Sequence, residues 1–424
     1  MRHRLLTATR DTFRSLGTRN FRLFFVGQLV SQTGTWVQSV AIIWVVLRLT
    51  GDGVALGLAT AAQFLPVLVL GAWAGVVSDR VDRHRFLLGT QAAFAVVALA
   101  FSALTFTDRL SLPAIYGLSA LFGVVTALDN PARRSLVVEM VAERDVPNAV
   151  GLNSALMTGS RVVGPAVGGL LITTVGPDWC FAFNGVTYVA VLIALLRIDR
   201  SQLRSPPRVV RAKGQMREGF RYVWSTPELR LPLILLTVIG TLAFEFQVTL
   251  PLLAERTFGG DAGTFTMLYS AMSAGSLIGA LMVARRTDAD TRYLARSALA
   301  LGASMAVLAA APNQWLAVVA VVPVGLTSIF LISGSNAVIQ LRADPSMRGR
   351  ALALTAVVFL GSTPIGGPIA GAFSEHLGAR AGIVLGAVAS ALAGAWTLRA
   401  LSRLPDVAGH GSPVPPAAPA VVRS

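Results

Sequence analysis

Long apolar runs separated by short charged stretches dominate this chain from Phe21 to Leu401. A hydrocarbon core of roughly 30 Å needs about 20 apolar residues per helix, and the runs have this length. The alternating pattern of a membrane β-strand does not occur, and a bilayer admits only helices or closed barrels as spanning structures. The pattern therefore predicts an all-α membrane protein.

We predict twelve transmembrane helices in two pseudo-symmetric six-helix halves. The longest loop, between Arg197 and Arg230, separates them and contains Pro206 and Pro207, which suggests a hinge. The predicted spans lie near 22–47, 54–77, 86–107, 112–128, 150–174, 180–196, 231–254, 264–284, 295–311, 315–339, 352–373 and 381–398. The predicted regions are a cytoplasmic N-terminal segment (1–20), a first half (21–196), a central loop (197–230), a second half (231–400) and a disordered tail (401–424).

Two further patterns support this division. A glycine–proline pattern in span five recurs in span eleven, as expected of duplicated halves that enclose a site near the membrane midplane. The matched residues are Gly164, Pro165 and Gly168, and Gly367, Pro368 and Gly371. In the central loop, residues 216–224 place Phe220, Val223 and Trp224 on one helical face, which predicts a short helix lying on the membrane surface.

The composition excludes other classes of protein. Apolar residues make up 54% of the chain and charged residues only 13%, too few to cover a large soluble domain. The net charge of +15 is spread over many short loops, which argues against a nucleic-acid interface.

The basic residues instead predict the topology. Thirty-one of the 36 lie on the side of the termini, four lie on the other side, and only Arg161 falls within a span far from its ends. By the positive-inside rule, we expect a multi-pass protein of the inner (plasma) membrane with both termini in the cytoplasm. We also expect the first span to be its own uncleaved targeting signal.

No enzymatic motif is present in the sequence. There is no phosphate-binding glycine loop, no serine nucleophile elbow and no pair of metal-binding histidines. Cys180 is the only cysteine, so neither a disulfide nor a cysteine-based metal site can form within the chain. We expect a protein that is not an enzyme and needs no metal or cofactor.

The loop between spans two and three carries the first informative motif. Gly75, Asp79, Arg80 and Arg83 stand in the spacing G-x-x-x-D-R-x-x-R, which resembles the signature loop of the major facilitator superfamily. Because the helix dipole disfavours a carboxylate at a helix C-terminus, Asp79 needs a partner. The resemblance implies a partner across the seam between the halves, in a latch that the two arginines complete. The alternative is that the arginines only anchor the loop in the cytoplasm.

Span five carries the second motif. Its small residues and proline resemble the antiporter motif of the same superfamily, and the residues are Gly151, Ser160, Gly164, Pro165, Gly168 and Gly169. Small residues four apart allow close helix packing, and a proline bends the helix. The resemblance favours export over import. Ordinary small-residue packing between membrane helices is the alternative.

Three further segments resemble the enterobactin-exporter and macrolide-efflux branch of the drug:proton antiporters. They are 20–38, 129–133 and 218–223. The resemblance implies a monomeric secondary-active transporter that exports a small amphiphilic molecule, of the drug, macrolide or siderophore class, by proton antiport with alternating access. A nutrient importer or facilitator of the same fold, or a lipid flippase, is the alternative.

Polar side chains of span one are candidates for the transport pathway. Gln28, Gln32 and Thr35 share one helical face, and a lipid-facing helix would not carry them. They either bond neighbouring helices or line a water-filled cavity. Asn336 is a weaker candidate, as a structural hydrogen bond is the more common role of such a residue.

Two charges fall inside the predicted spans, Arg161 in span five and Glu245 in span seven. Burying a lone charge in a bilayer costs at least about 2.5 to 3.5 kcal/mol, so each should face a cavity or a partner. They could form one structural ion pair. Alternatively, Glu245 could load and release the coupling proton as its surroundings alternate.

Overall fold

The computed structural model describes residues 12–204, 215–284 and 290–403, except for the side chains of Ala72, Asp79, Gln215, Met216, Ala284 and Leu360. The hinge prolines of the central loop and nearly all of the predicted tail lie outside these residues. The predicted boundaries of the two halves and of the loop stay predictions.

The described chain is built almost entirely of α-helices. The helices are α1 (Arg19–Thr50), α2 (Gly53–Arg80), α3 (Arg83–Phe106), α4 (Leu112–Glu139), α5 (Val146–Thr174), α6 (Pro177–Leu196), α7 (Gln215–Ser225), α8 (Pro227–Leu242), α9 (Phe246–Leu252), α10 (Ala262–Ala284), α11 (Thr291–Ala309), α12 (Gln314–Arg342), α13 (Arg348–His376) and α14 (Ala381–Arg403). Short 3-10 turns lie at Arg14–Gly17, Glu143–Asp145 and Arg200–Gln202, and a π-helical turn at Leu253–Thr257.

Polar residues at the helix starts explain several of these boundaries. Asp52, Asp82, Asp290 and Asn313 each accept a hydrogen bond from a backbone N–H in the first turn of the helix that follows. Such caps satisfy donors that a helix start leaves without a partner. Gly51 ends α1 in the left-handed region, with a φ of 59°, where a glycine is favoured.

The predicted all-α membrane fold is confirmed. Eleven helical segments of the described chain are long and apolar enough to cross a membrane, counting Pro227–Thr257 as one segment. The remaining long helix, α11, has 19 residues and packs between α12 and α14. Its first turns carry Arg292 and Arg296, which lower its apolar character. The prediction of twelve spans is consistent with these eleven segments together with α11.

The bundle has two ends, defined by the direction of its helices. We call the end where α1 begins and α14 ends the terminal end, and the opposite end the far end. The first half contains α1 to α6, and the second contains α8 to α14. The halves meet along two seams, α2 against α13 and α5 against α10. The glycine–proline repeats lie on α5 and α13, so each seam contains one copy.

The predicted helix in the central loop is present as α7. Val223 is buried against the second half, whereas Phe220 and Trp224 are each 48% exposed and stack on one another with ring centroids 5.5 Å apart. Glu218 pairs with Arg350 of α13 at 2.7 Å and holds α7 to the bundle. The residues of the predicted apolar face therefore differ in their surroundings. Val223 packs into the protein, whereas Phe220 and Trp224 stay exposed on its surface.

Span seven differs from the prediction of one continuous helix over 231–254. Helix α8 ends at Leu242, Glu245 stands immediately before α9, and a π-helical turn follows. Neither a glycine nor a proline stands at positions 243–245, so the sequence offers no common signal for a break there. The break places a charged residue where the helix is interrupted.

Candidate functional site

A cavity lies between the halves, next to the break in span seven. Most of its wall comes from the second half, and α2 and α5 contribute one residue each. Its volume is about 160 Å³. The residues that define its chemistry are Phe64, Arg161, Phe244, Glu245, Phe246, Tyr269, Ser273, Ser276, Phe359 and Ser362. Aromatic rings and hydroxyl groups thus surround one acidic and one basic side chain.

Glu245 is almost completely buried at the edge of this cavity. Its side chain is 2% exposed, and its Oε1 atom has no hydrogen-bond partner in the described chain. Helix α13 makes room for it at Gly366, since a Cβ there would lie 2.7 Å from Oε1. A Cβ on Gly367 would lie 3.6 Å from Oε2, which is an ordinary contact distance. The carboxyl group therefore lies against the backbone of α13, beside the seam with α2.

Arg161 also lines this cavity and contacts an aromatic ring. Its guanidinium lies 5.1 Å from the centroid of Trp36, within the range of a cation–π interaction. The ring of Trp36 is 6.1 Å from that of Tyr269 in the second half, so this cluster crosses the seam. In the described part of the chain no ion pair joins Arg161 to Glu245. The two predicted charges share one cavity but do not neutralise one another in this conformation.

The polar residues of span one are used mainly within the first half. The Thr35 hydroxyl is 2.9 Å from that of Tyr188 on α6, and Asn184 donates to Gln38 at 2.8 Å. Gln32 donates to Gln28 at 3.4 Å within α1. The residues that line the cavity around Glu245 do not include the predicted Gln28, Gln32 and Thr35, nor Asn336 on α12. Thr35 therefore bonds a neighbouring helix through Tyr188, which is the first of the two roles that the sequence left open for these residues.

The signature loop of Gly75, Asp79, Arg80 and Arg83 lies at the terminal end of α2 and the start of α3. Gly75 is buried, Arg80 is exposed and ends α2, and Arg83 pairs with Glu139 of the same half. The side chain of Asp79 lies outside the described part of the structure, so the latch across the seam stays a prediction.

The turn inside the signature loop is fixed within the first half by Asp82. Partial burial disfavours the charged form of this residue, but the backbone N–H of Arg85 and the guanidinium of Arg200 outweigh burial and lower the pKa of the carboxyl group. Asp82 therefore stays ionised, caps α3 and ties the turn to the segment after α6.

The antiporter motif packs on two different partners. A side chain on Gly164 would clash with Trp36, and a Cβ on Gly168 would lie 3.3 Å from the Cα atom of Val37, both on α1. A side chain on Gly169 would clash with Thr266 on α10, across the seam. Pro165 and Ser160 are buried within α5. Gly151 is exposed with nothing near it, so the packing is confined to the motif's later residues.

A clasp at the far end joins the halves, and the sequence did not predict it. Glu375 of α13 pairs with Arg256 at 2.7 Å and accepts a hydrogen bond from the backbone N–H of Gly53 at 2.8 Å. Arg256 also donates to the carbonyl group of Gly51. We call these four residues the far-end clasp. Tight glycine contacts between α2 and α13 continue from it, and they seal the far end of this seam.

Helix α4 contains a buried acidic residue, Asp129, that the sequence analysis placed outside the membrane span. The predicted span ended at residue 128, but α4 continues to Glu139 and so includes Asp129, which is 3% exposed. Asp129 accepts hydrogen bonds from Thr90 and Gln91, both at 2.8 Å, and pairs with Arg133 at 3.2 Å. Glu245 is therefore not the only acidic residue buried within a membrane-spanning segment. It differs from Asp129 in lacking such partners.

Comparison with known proteins places this architecture in a family. Residues 10–415 match the family described as transmembrane secretion effector. The chain belongs to this family. Macrolide efflux protein A of Streptococcus pyogenes is 26% identical over 371 residues, covering 84% of this chain and 90% of the relative. Multidrug efflux pump Tap of Mycobacterium tuberculosis is 27% identical over 376 residues, covering 85% and 88%.

Solved structures confirm the fold of this secretion effector. A bacterial homologue of the human lysosomal transporter Spinster, in an inward-facing and unoccupied conformation, superposes with a TM-score of 0.72. It shares 14% sequence identity, and the match covers 90% of this chain and 97% of the other. The predicted major facilitator fold is confirmed. The chain is an efflux transporter of this type and not an enzyme.

Proposed function

We propose that this secretion effector exports a small amphiphilic molecule in exchange for protons, by alternating access. The observation that carries the proposal is Glu245, a buried carboxyl group without a hydrogen-bond donor for Oε1, at a helix break beside a cavity between the halves. Transporters commonly place substrate and ion sites at such breaks near the midplane.

The chemistry of burial explains how Glu245 could couple the two fluxes. Burying a carboxylate without partners is costly, whereas a protonated carboxyl group is much cheaper to bury. Opening the cavity to water, or bringing a cation close to Glu245, favours the charged form. A conformational change that alternates these surroundings would load a proton on one side of the membrane and release it on the other.

The seams provide the moving parts of this mechanism. In the present conformation the far-end clasp and the glycines of α2 and α13 close the far end. In the terminal half of α5, by contrast, a Cβ on Gly151 or Gly159 would meet no atom within 4 Å. We infer that transport alternates between this state and one closed at the terminal end, where Asp79 would form the predicted latch.

The cavity wall suggests the class of cargo. Five aromatic residues suit an apolar or aromatic body, and Arg161 and Glu245 suit a polar or charged group on it. The relatives named for macrolide and multidrug efflux are consistent with such cargo. At about 160 Å³ the cavity is smaller than the roughly 300 Å³ of typical drug sites, so it must widen to admit a macrolide.

Location, partners and driving force complete the proposal. The excess of basic residues on the side of the termini supports a cytoplasmic terminal end in the inner membrane. We propose a monomer that is surrounded by membrane lipid, needs no cofactor and is driven by the proton gradient. Under this orientation the far end, which the far-end clasp closes in the present conformation, faces outward.

Cellular accumulation tests the proposed function. Cells with and without the protein are loaded with a panel of labelled compounds that includes a macrolide, a cationic dye and a siderophore. The proposal predicts that the protein lowers the accumulation of at least one compound, and that an uncoupler of the proton gradient abolishes the difference. Raised accumulation would identify an importer, and a difference insensitive to the uncoupler would contradict proton coupling.

A further inference from the structure

A groove on the surface of the second half, away from the cavity, has an unusual combination of side chains. It lies at the terminal end, where α7, the start of α8 and the end of α14 meet, and its volume is about 260 Å³. Its lining consists of Trp224, Pro227, Arg230, Leu231, Ile234, Trp396 and Ala400. The groove is therefore apolar and aromatic, with a single charge.

The charged residue of this groove has no partner among the described residues. Arg230 is half-buried, and its side chain forms no ion pair or hydrogen bond with the described residues. Its neighbour Glu228 instead lies 3.7 Å from Arg342. A guanidinium group surrounded by tryptophans and aliphatic side chains is incompletely solvated, and an anion would satisfy it.

The two tryptophans indicate where the groove lies relative to a bilayer. Trp224 is 48% and Trp396 47% exposed, although large aromatic side chains are usually buried in a soluble environment. Tryptophan prefers the interface between the hydrocarbon core and the headgroups. A groove flanked by two such residues and containing an arginine therefore lies at the depth of lipid phosphates.

The surroundings add positive charge. A second depression shares Trp224 with the groove and is lined by Arg217 and Arg221 of α7. Basic residues on a surface helix next to a transmembrane segment attract anionic lipid. Glu218 also lines this depression, but its pair with Arg350 occupies it.

We propose that this groove binds one anionic phospholipid. Its phosphate group would pair with Arg230, and an acyl chain would lie along Ile234 and Trp396 towards the membrane interior. Charge complementarity selects an anionic headgroup, and the apolar walls select a lipid over a soluble anion. This site is independent of the cargo cavity, so it does not rest on the proposed transport function.

Native mass spectrometry of the purified full-length protein tests the proposal. The protein is equilibrated with equal amounts of phosphatidylglycerol and phosphatidylcholine, and the bound lipids are counted. We expect the wild type to retain phosphatidylglycerol preferentially, and Arg230→Gln to lose this preference by about fivefold, as one phosphate contact predicts. Arg296→Gln is the matched control, because it removes one exposed charge of α11 outside the groove and should leave the preference unchanged.

Three results would overturn the assignment. The first is a wild-type protein that binds both lipids equally. The second is an Arg230→Gln variant whose preference equals that of the wild type, or a control variant that loses as much. The third is displacement of phosphatidylglycerol by inorganic phosphate, which would assign Arg230 to a soluble anion. Trp396→Ala adds a separate arm, since it should weaken retention of phosphatidylglycerol while Arg230 is still present.

Discussion

Gly164 is the residue that lets Trp36 pack closely against α5 beside the cavity. The absence of a side chain lets α5 approach Trp36 of α1, and Trp36 in turn contacts Arg161 and Tyr269. This sequence of contacts connects the antiporter motif to the cavity. It gives a local physical reason for a glycine at this position, beyond the general tendency of membrane helices to contain small residues.

We predict that Gly164→Ala impairs transport and lowers thermal stability. The added methyl group would clash with Trp36, and overpacking of this kind costs about 1–3 kcal/mol. The matched control for thermal stability is Gly159→Ala in the same helix, where a Cβ meets no atom within 4 Å in the present conformation. Thermal denaturation of the purified variants and cellular efflux are the measurements. Equal behaviour of the two variants would contradict the role given to the contact with Trp36.

The sequence predicted the two charged residues of the cavity but not how they are held. A charge in an apolar run is costly, so Arg161 and Glu245 could be singled out from composition alone. Their surroundings depend on contacts distant in sequence, such as Trp36 over Arg161 and Gly366 beside Glu245. For the same reason Thr35 was a candidate for the pathway, although its hydroxyl group meets that of Tyr188.

At the scale of elements, the far-end clasp connects the loop after α1 with the end of α13. The sequence could not reveal it, because Arg256 and Glu375 are ordinary charged residues near helix ends, 119 positions apart. The break before α9 was hidden for a similar reason. Apolar runs predict that a segment crosses the membrane, but they do not show whether its backbone hydrogen bonds are continuous.

We predict that Glu375→Gln opens the far end. Loss of a partly exposed ion pair costs up to about 1 kcal/mol, which changes the ratio of two conformations by about fivefold. Spin labels at Arg109→Cys and Pro312→Cys, in a Cys180→Ala background, place one probe on each half at this end. Distance measurements should show a larger population at long separation in the variant.

A matched variant separates the clasp from general loosening. Arg380 donates to the carbonyl of Ala311 at 2.7 Å, a contact at the far end that lies within the second half. Arg380→Gln should therefore leave the distribution between the labels unchanged. If Glu375→Gln also leaves it unchanged, the clasp does not hold the far end closed.

At the scale of the whole molecule, topology is the first expectation to test. Reporter fusions after Arg200 and Arg403 should report a cytoplasmic location, and a fusion after Asp108 an external one. The reason is the concentration of basic residues on the side of the termini. A cytoplasmic signal at Asp108 would contradict the orientation on which the direction of transport depends.

The overall architecture was more predictable than the site. Span lengths and the central loop follow from the hydrocarbon thickness and from the charges between spans, and the family motifs specify the fold. Helix α11 spans Thr291–Ala309, whereas the predicted span was 295–311. Its first turns contain charged residues, so hydropathy does not separate them from the loop before them. The closed far end depends on side-chain contacts between halves, which periodicity does not encode.

Proton-driven transport by the purified protein tests the central claim most directly. Proteoliposomes with a more acidic lumen are given a labelled compound that the cellular panel identifies as cargo, and its accumulation is followed for the wild type, Glu245→Gln and a control, Glu255→Gln. Glu255 lies in the π-helical turn after α9 and is not among the residues that line the cavity. We predict accumulation against the cargo gradient by the wild type and the control, and only downhill flux by Glu245→Gln. Stable Glu245→Gln protein that concentrates the compound as fast as the wild type would contradict the assignment of the coupling proton to Glu245.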